Sequence, residues 1–338
     1  MKAAVFKGAG LARALEFETV DDPKPGPRDL LVKVGRCGIC GTDLHMTSGH
    51  GWDFPVGTIL GHEYAGEVVA VGREVERFKV GDRVSGMARA GCGACEACFR
   101  GMPLLCQNGD GEMGGYAEYL RLPEGAAAQL PKTLSLADGA LVEPLAIGLH
   151  GVRMANMPIG AKVLVLGAGS VGLAAIFWAR RLGAQRVVAA SRSAARGPMA
   201  LAMGADAFVQ TGQDEVAKVI ETLGGPPDFV FECAGAVGLL AQAINHAKVF
   251  GQVVSLGFCT APDPIVPGTA AMKQVSLCFP LAYSPGEFEQ VADLMLAGVV
   301  DPKVMVTSTI GFDDLPETFE ALRGPNDQTK VHVLIGEA

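Results

Sequence analysis

Val163-Leu-Val-Leu-Gly-Ala-Gly-Ser-Val-Gly172 is the stretch that decides the fold. Val163 to Leu166 read as a buried strand, and the apolar run Leu173 to Ala179 reads as a helix. Gly167-x-Gly169-x-x-Gly172 stands between them. Three such glycines alone mean little, but the order strand, glycines, helix is what a dinucleotide pyrophosphate needs. The first glycine permits the tight turn, the second lets the backbone approach the phosphates, and the third lets helix pack on strand. Gly167, Gly169, Ser170, Val171 and Gly172 are therefore the expected dinucleotide contacts. The helix N-terminus adds free N–H groups and a partial positive charge.

A strand–helix alternation continues outward from about residue 148. Arg186 to Ala190, Phe229 to Cys233 and Gln252 to Phe258 read as further strands of one parallel sheet. This is an α/β, doubly wound Rossmann pattern. Residues 1 to about 90 read differently, as short apolar segments (Leu30 to Val34, Ala65 to Val71, Arg83 to Gly86) between Gly/Pro turns. Tyr116 to Leu120 reads as a returning strand, and Leu136 to Ala155 as one long helix. Near residue 286 the chain is expected back in the first domain, ending in the strand Lys330 to Ile335. The expected division is 1–147 with 286–338, and an inserted 148–285.

The chain has 338 residues, 49% of them hydrophobic, so two domains with ample cores are available. A net charge of −8 argues against nucleic acid or an anionic membrane as the main partner. No apolar run approaches the roughly 20 residues of a membrane span. The opening Met1 to Lys7 is too short and too soon polar for a signal peptide and reads as an edge strand. A cytoplasmic location is expected.

Four of the nine cysteines fall in Cys92-x2-Cys95-x2-Cys98-x7-Cys106. A tetrahedral zinc held by four thiolates fits this spacing, with every position closed and so a structural role. An iron–sulfur cluster is the main rival, but its usual last gap is shorter and is followed by proline, where Gln107 stands here. Cys40, His62 and, much later, Glu143 supply the thiolate, imidazole and carboxylate that a catalytic zinc with one open position uses. His150 lies two helical turns beyond Glu143 and reads as a packed helix histidine.

These motifs, in this order, resemble the zinc-dependent medium-chain dehydrogenases, which act on alcohols, sorbitol, butanediol or threonine. The likeness rests on Gly38-Ile-Cys40-Gly-Thr42-Asp43-Leu-His45, Gly61-His62-Glu63-Tyr-Ala-Gly66, Gly81-Asp82-Arg-Val84, Leu141-Val-Glu143-Pro-Leu145 and the glycine fingerprint. It spans essentially the whole chain. It implies a GroES-like β-rich catalytic domain carrying the inserted Rossmann domain, and two zinc ions per chain. Cys40 and His62 become the first two catalytic ligands, with Glu143 third, directly or through water. Glu63 becomes the neighbouring carboxylate that approaches the metal during exchange. Asp43 becomes the support of His62, and Thr42 and His45 the path of the substrate proton. Cys37 gains no role beyond structure.

An NAD-preferring fold usually places an acid about 20 residues after the glycines, on the ribose 2′-OH. Here Ser191 occupies that place, followed by Arg192 and Ser193, with Arg196 nearby. A guanidinium suits a 2′-phosphate, so NADP is expected, with NAD as the alternative. The Ser-Arg pair also resembles the NADP-dependent members. The reaction implied is reversible oxidation of a secondary alcohol, diol or polyol to its ketone or aldehyde, in a cleft between the domains. Trp52, Phe54, Phe258 and Phe279 are candidate pocket residues. A threonine-type dehydrogenase and a zinc-independent quinone or alkene reductase are the alternatives, and a non-enzymatic nucleotide sensor is a third. The resemblance also implies a homo-oligomer, tetramer or dimer.

Overall fold

The structure, a computed structural model, describes residues 1–49, 53–111, 113–298 and 301–336. The chain divides into two compact units, Met1–Ala146 with Tyr283–Ala338, and Ile147–Ala282.

The second unit is built on six parallel strands: Lys162–Leu166, Arg186–Ser191, Ala207–Gln210, Phe229–Glu232, Gln252–Ser255 and Ser276–Cys278. Numbered along the chain, they stand 3-2-1-4-5-6 across the sheet, the Rossmann order. Strands buried on both faces read as continuous apolar runs. Val163, Leu164, Val165, Val187, Val188, Val230 and Val253 are accordingly all fully buried.

The first unit carries a seven-stranded sheet in the order Val306–Gly311, Lys330–Leu334, Asp29–Ile39, Glu63–Val71, Arg83–Gly86, Ala127–Gln129, with Tyr119–Pro123 also paired to Asp29–Ile39. The pairings are antiparallel except for that of Val306–Gly311 with Lys330–Leu334. Lys2–Phe6 and Leu15–Thr19 form a separate two-stranded ribbon. The central strand Asp29–Ile39 shifts register twice against Glu63–Val71, as a bulged strand does. Those shifts bring Gly38 opposite Glu63, so Cys40 and His62 sit at adjacent strand ends. The pairing Val331 with Ile39 sets Lys330 at the same end.

Several expected elements differ: the strand expected over Gln252 to Phe258 stops at Ser255, and that expected over Leu30 to Val34 runs from Asp29 to Ile39. The returning strand is Tyr119–Pro123 rather than Tyr116 to Leu120, because Tyr116 is taken up by backbone bonds to Leu60 and Ala4. The long helix is two helices, Leu136–Gly139 and Val142–Met154. The cause is Pro144: its ring cannot coexist with a helical carbonyl four residues back, at Ala140. In the first turn of the second helix its missing N–H costs nothing.

Candidate functional site

In the first unit, ligand atoms of Cys40, His62 and Glu63 lie within 4.8 Å of one another. Cys40 is the N-cap of the one-turn helix Gly41–His45. Asp43, fully buried, accepts from the Cys40 N–H at 3.3 Å and from the Tyr116 hydroxyl at 2.7 Å. Its Oδ1 lies 3.3 Å from His62 Nδ1, and neither atom has another hydrogen-bond partner. The ring is thus held from behind, as metal-bound imidazoles are. Burial opposes charge on His62, but Asp43 and Cys40 outweigh it and hold its pKa well above 6.5. Asp43 stays below the usual carboxylate range: burial raises it, but His62, Tyr116 and the Cys40 N–H together win.

Glu63 is 1% exposed, and its two carboxylate oxygens accept from Lys330 Nζ at 2.5 and 2.6 Å. Lys330, equally buried, also donates to the Ile39 carbonyl at 3.2 Å. Gly38 makes room for this carboxylate, since a Cβ there would stand 2.2 Å from Glu63 Oε2. Glu143 lies outside the close group. It is buried, hydrogen-bonded by the Tyr283 hydroxyl, and near enough to His62, Glu63 and Lys330 to feel their charges. Burial pushes its carboxyl up to about 7. Tyr283 is itself buried and stacks on Phe288, ring centroids 5.2 Å apart. Lys330 and Tyr283 are functional candidates that motif reading passes over.

Thr42 is half-buried and His45 exposed, both on the turn that Cys40 caps. Cys37 is fully buried, and burial pushes its thiol well up, which suits a structural residue. His150 is buried in its helix and belongs to neither candidate metal group. Phe54 lines a cavity of about 1110 Å³ in this unit, with Val56, Ile59, Leu104, Met113 and Arg89. Trp52 lies outside the described residues.

The second metal group is Cys92, Cys95, Cys98 and Cys106. Cys95 Sγ lies 3.6 Å from both Cys98 Sγ and Cys106 Sγ. That is far beyond a disulfide. It is close to the roughly 3.8 Å between sulfurs of a tetrahedral site with about 2.3 Å zinc–sulfur bonds. The Cys92 N–H, donating to Cys106 Sγ at 3.4 Å, heads the contacts that pull the Cys106 thiol down to about 6. The donor sets thus fit zinc at both places: four thiols in one, thiol, imidazole and carboxylate in the other.

In the second unit each glycine of the fingerprint has its own reason. Gly167 has φ of +94°, which favours glycine. A Cβ at Gly172 would stand 1.8 Å from the Gly167 carbonyl oxygen. A Cβ at Gly169 would meet nothing within 4 Å, so open space lies in front of the N-cap of helix Ser170–Arg181. Ser170 Oγ is buried there without a partner. An unpaired hydroxyl, open space and a helix N-terminus together fit a phosphate. Ser191 ends its strand, Arg192 follows exposed, and Arg196 is half-buried in the next turn. Gln210 holds the Arg192 carbonyl at 3.1 Å. Phe279, just past the edge strand, is 63% exposed. The Phe258 backbone passes close to Gly235, where a Cβ would stand 2.8 Å from the Phe258 nitrogen.

A family profile described as "Alcohol dehydrogenase GroES-like domain" matches residues 26–132, and one described as "Zinc-binding dehydrogenase" matches 170–297. The chain is 33% identical over 321 residues to an L-threonine 3-dehydrogenase of Pectobacterium carotovorum, covering 90% of this chain and 92% of that protein. A putative zinc-binding dehydrogenase from Sinorhizobium meliloti, solved bound to NADP, superposes with a TM-score of 0.87 at 33% identity, covering 98% of each chain. The 2R,3R-butanediol dehydrogenase of Bacillus subtilis gives 0.85 at 32% identity, with 98% and 99% covered. With both a GroES-like and a Rossmann domain and with relatives matched along nearly their full length, the chain belongs to the zinc-dependent medium-chain alcohol dehydrogenase family.

Proposed function

We propose that this enzyme oxidises a secondary alcohol, diol or polyol reversibly, passing hydride to NADP⁺, with one catalytic and one structural zinc per chain. The observation that carries the reading is the convergence of Cys40, His62 and Glu63 at adjacent strand ends, with Asp43 behind the histidine. Cys40 and His62 would hold the catalytic ion, with Glu143 as third ligand directly or through water, and Glu63 close by for exchange. When bound, zinc supplies Lewis-acid polarisation of the substrate oxygen. Asp43 keeps His62 in one orientation. Thr42 takes up the substrate proton and passes it toward exposed His45. Cys92, Cys95, Cys98 and Cys106 hold the second ion and stiffen their loop.

Three things support NADP: the missing acid at Ser191, the exposed Arg192, and the NADP in the Sinorhizobium meliloti relative. Ser191→Asp with Arg192→Leu should turn the preference toward NAD. Equal kcat/KM for both cofactors in the unaltered enzyme refutes the preference. Threonine is the second reading, favoured by the name of the Pectobacterium relative. No carboxylate-binding arginine stands out in the sequence to support it. The ligand set weighs against a zinc-independent reductase.

A homo-oligomer is supported by strand Ser276–Cys278, which among the described residues ends its sheet without a further partner strand, and by Phe279 and Leu281, exposed just beyond it. Light scattering on the purified chain tests it. Nine free thiols suit the reducing cytoplasm, and no described helix is long and apolar enough to cross a membrane. The function itself is tested by initial rates of NADP⁺ and NAD⁺ reduction over secondary alcohols, 2,3-butanediol, sorbitol and L-threonine. Cys40→Ser should cut the rate by orders of magnitude and remove one zinc of two. Near-normal rates without that zinc overturn the scheme.

A further inference from the structure

The helix Gly41–His45 has five residues and so little stability of its own. Its C-terminal turn closes with the Met46 N–H on the Thr42 carbonyl at 2.9 Å. Beyond that point the brace comes from far along the chain. Arg323 Nη1 donates to the Leu44 carbonyl at 2.6 Å, and Nη2 donates to Thr47 Oγ1 at 2.7 Å. Thr47 is 2% exposed and passes the bond on, its hydroxyl donating to the Asp43 carbonyl at 2.7 Å. The guanidinium is aimed from behind. Its Nε donates to Glu320 Oε2 at 2.7 Å, and it lies 5.2 Å from the ring of fully buried Phe319. Glu320 is pinned in turn by the Ala14 N–H at 2.9 Å. A cation on the last carbonyls of a helix also suits its dipole.

We propose that Arg323 is a positioning residue for the metal-facing turn: its guanidinium fork locks the end of Gly41–His45 and so fixes Asp43 within it and Cys40 at its other end. The inference rests on the reading that Cys40 and His62 hold a metal. Lysine cannot replace the fork, because one ammonium does not match two acceptors set for a planar group.

The test uses the full chain, stripped of zinc and loaded with cobalt(II), as Arg323→Gln, Arg323→Lys and the parent. The absorption difference between parent and Cys40→Ser isolates the Cys40 thiolate-to-cobalt band from that of the four-cysteine site. Hydrogen exchange is followed by mass spectrometry over residues 41–48. In Arg323→Gln, exchange at the Met46 amide should rise roughly 10- to 100-fold, the factor one charged hydrogen bond is worth. Exchange in strand Asp29–Ile39 should hold. The Cys40-dependent band should shift or weaken, with Arg323→Lys between the two. A band unchanged in Arg323→Gln, whether or not exchange quickens, overturns the positioning role and leaves an ordinary stabilising contact. Absence of any Cys40-dependent band in the parent is a different failure: it overturns the metal reading on which the inference stands.

Discussion

His332 gives the sharpest prediction. It is fully buried in strand Lys330–Leu334, opposite Gly38, and neither ring nitrogen has a hydrogen-bond partner. Burial pushes its pKa from 6.5 down to about 3, helped by Lys330 and Arg36, while Asp138 opposes weakly. The unfolded chain therefore binds a proton between those values that the folded chain refuses. Stability is whole above about pH 6.5 and is lost as the pH falls toward 3. The full loss is about 5 kcal/mol, and at pH 5 it is roughly 2 kcal/mol. His332→Leu removes the titration and two unpaired polar atoms, so the variant should be at least as stable at pH 7.5. Urea unfolding of both proteins at pH 7.5, 6.0 and 5.0 measures this. Other titrating groups, zinc ligands included, are common to both and cancel in the difference. The gap in favour of His332→Leu should widen by roughly 2 kcal/mol on going to pH 5. Parallel stability curves would show that the imidazole titrates as freely in the fold as outside it, and the reasoning fails.

Lys330→Met strands the Glu63 carboxylate in the interior and should cost about 3–5 kcal/mol in thermal or urea unfolding. Adding Glu63→Leu should recover most of that loss, and no recovery in the double variant argues against the pair. Gly172→Ala drives a Cβ to 1.8 Å from the Gly167 oxygen, so NADPH binding followed by fluorescence should be lost while the first unit stays folded. Glu143, lifted to about 7 by burial, has the opposite linkage sign to His332. The zinc-free fold takes up a proton there that the unfolded carboxyl, near 4.5, does not, so this group adds stability as the pH falls from about 7 toward 4.5. Glu143→Gln should flatten that gain, worth roughly 2 kcal/mol between pH 7.5 and 5.5, in melting temperatures of the zinc-free protein compared at those two values.

Local geometry was legible in the sequence, and long-range contacts were not. Gly167, Gly169 and Gly172 could be read because each answers a local need: a positive φ, an open approach, a carbonyl 1.8 Å from where a Cβ would be. The four-cysteine loop could be read for the same reason, since its spacing alone brings the sulfurs together. Pro144 in the helical run was a local signal as well, and its conflict with Ala140 decides where that helix breaks.

Lys330 and Arg323 are different in kind. Lys330 meets Glu63 across 267 residues, and Arg323 meets Leu44 across 279. No spacing rule reaches that far. The pattern Lys330-Val-His332-Val even points the wrong way, because alternating polar positions on a strand normally face water. Here both polar positions are buried, Lys330 because Glu63 neutralises it and His332 because it stays uncharged. A buried lysine demands a partner, and the only such demand a sequence can register is that a carboxylate must lie somewhere opposite. Which one is decided by sheet register, Gly38 against Glu63 and Val331 against Ile39. Cys40, His62 and Glu63 thus stand in short motifs, while Lys330 and Arg323 reach them only through the fold, by strand pairing in one case and by a long-range side-chain contact in the other, which is why the first can be read from a chain and the second only from its structure.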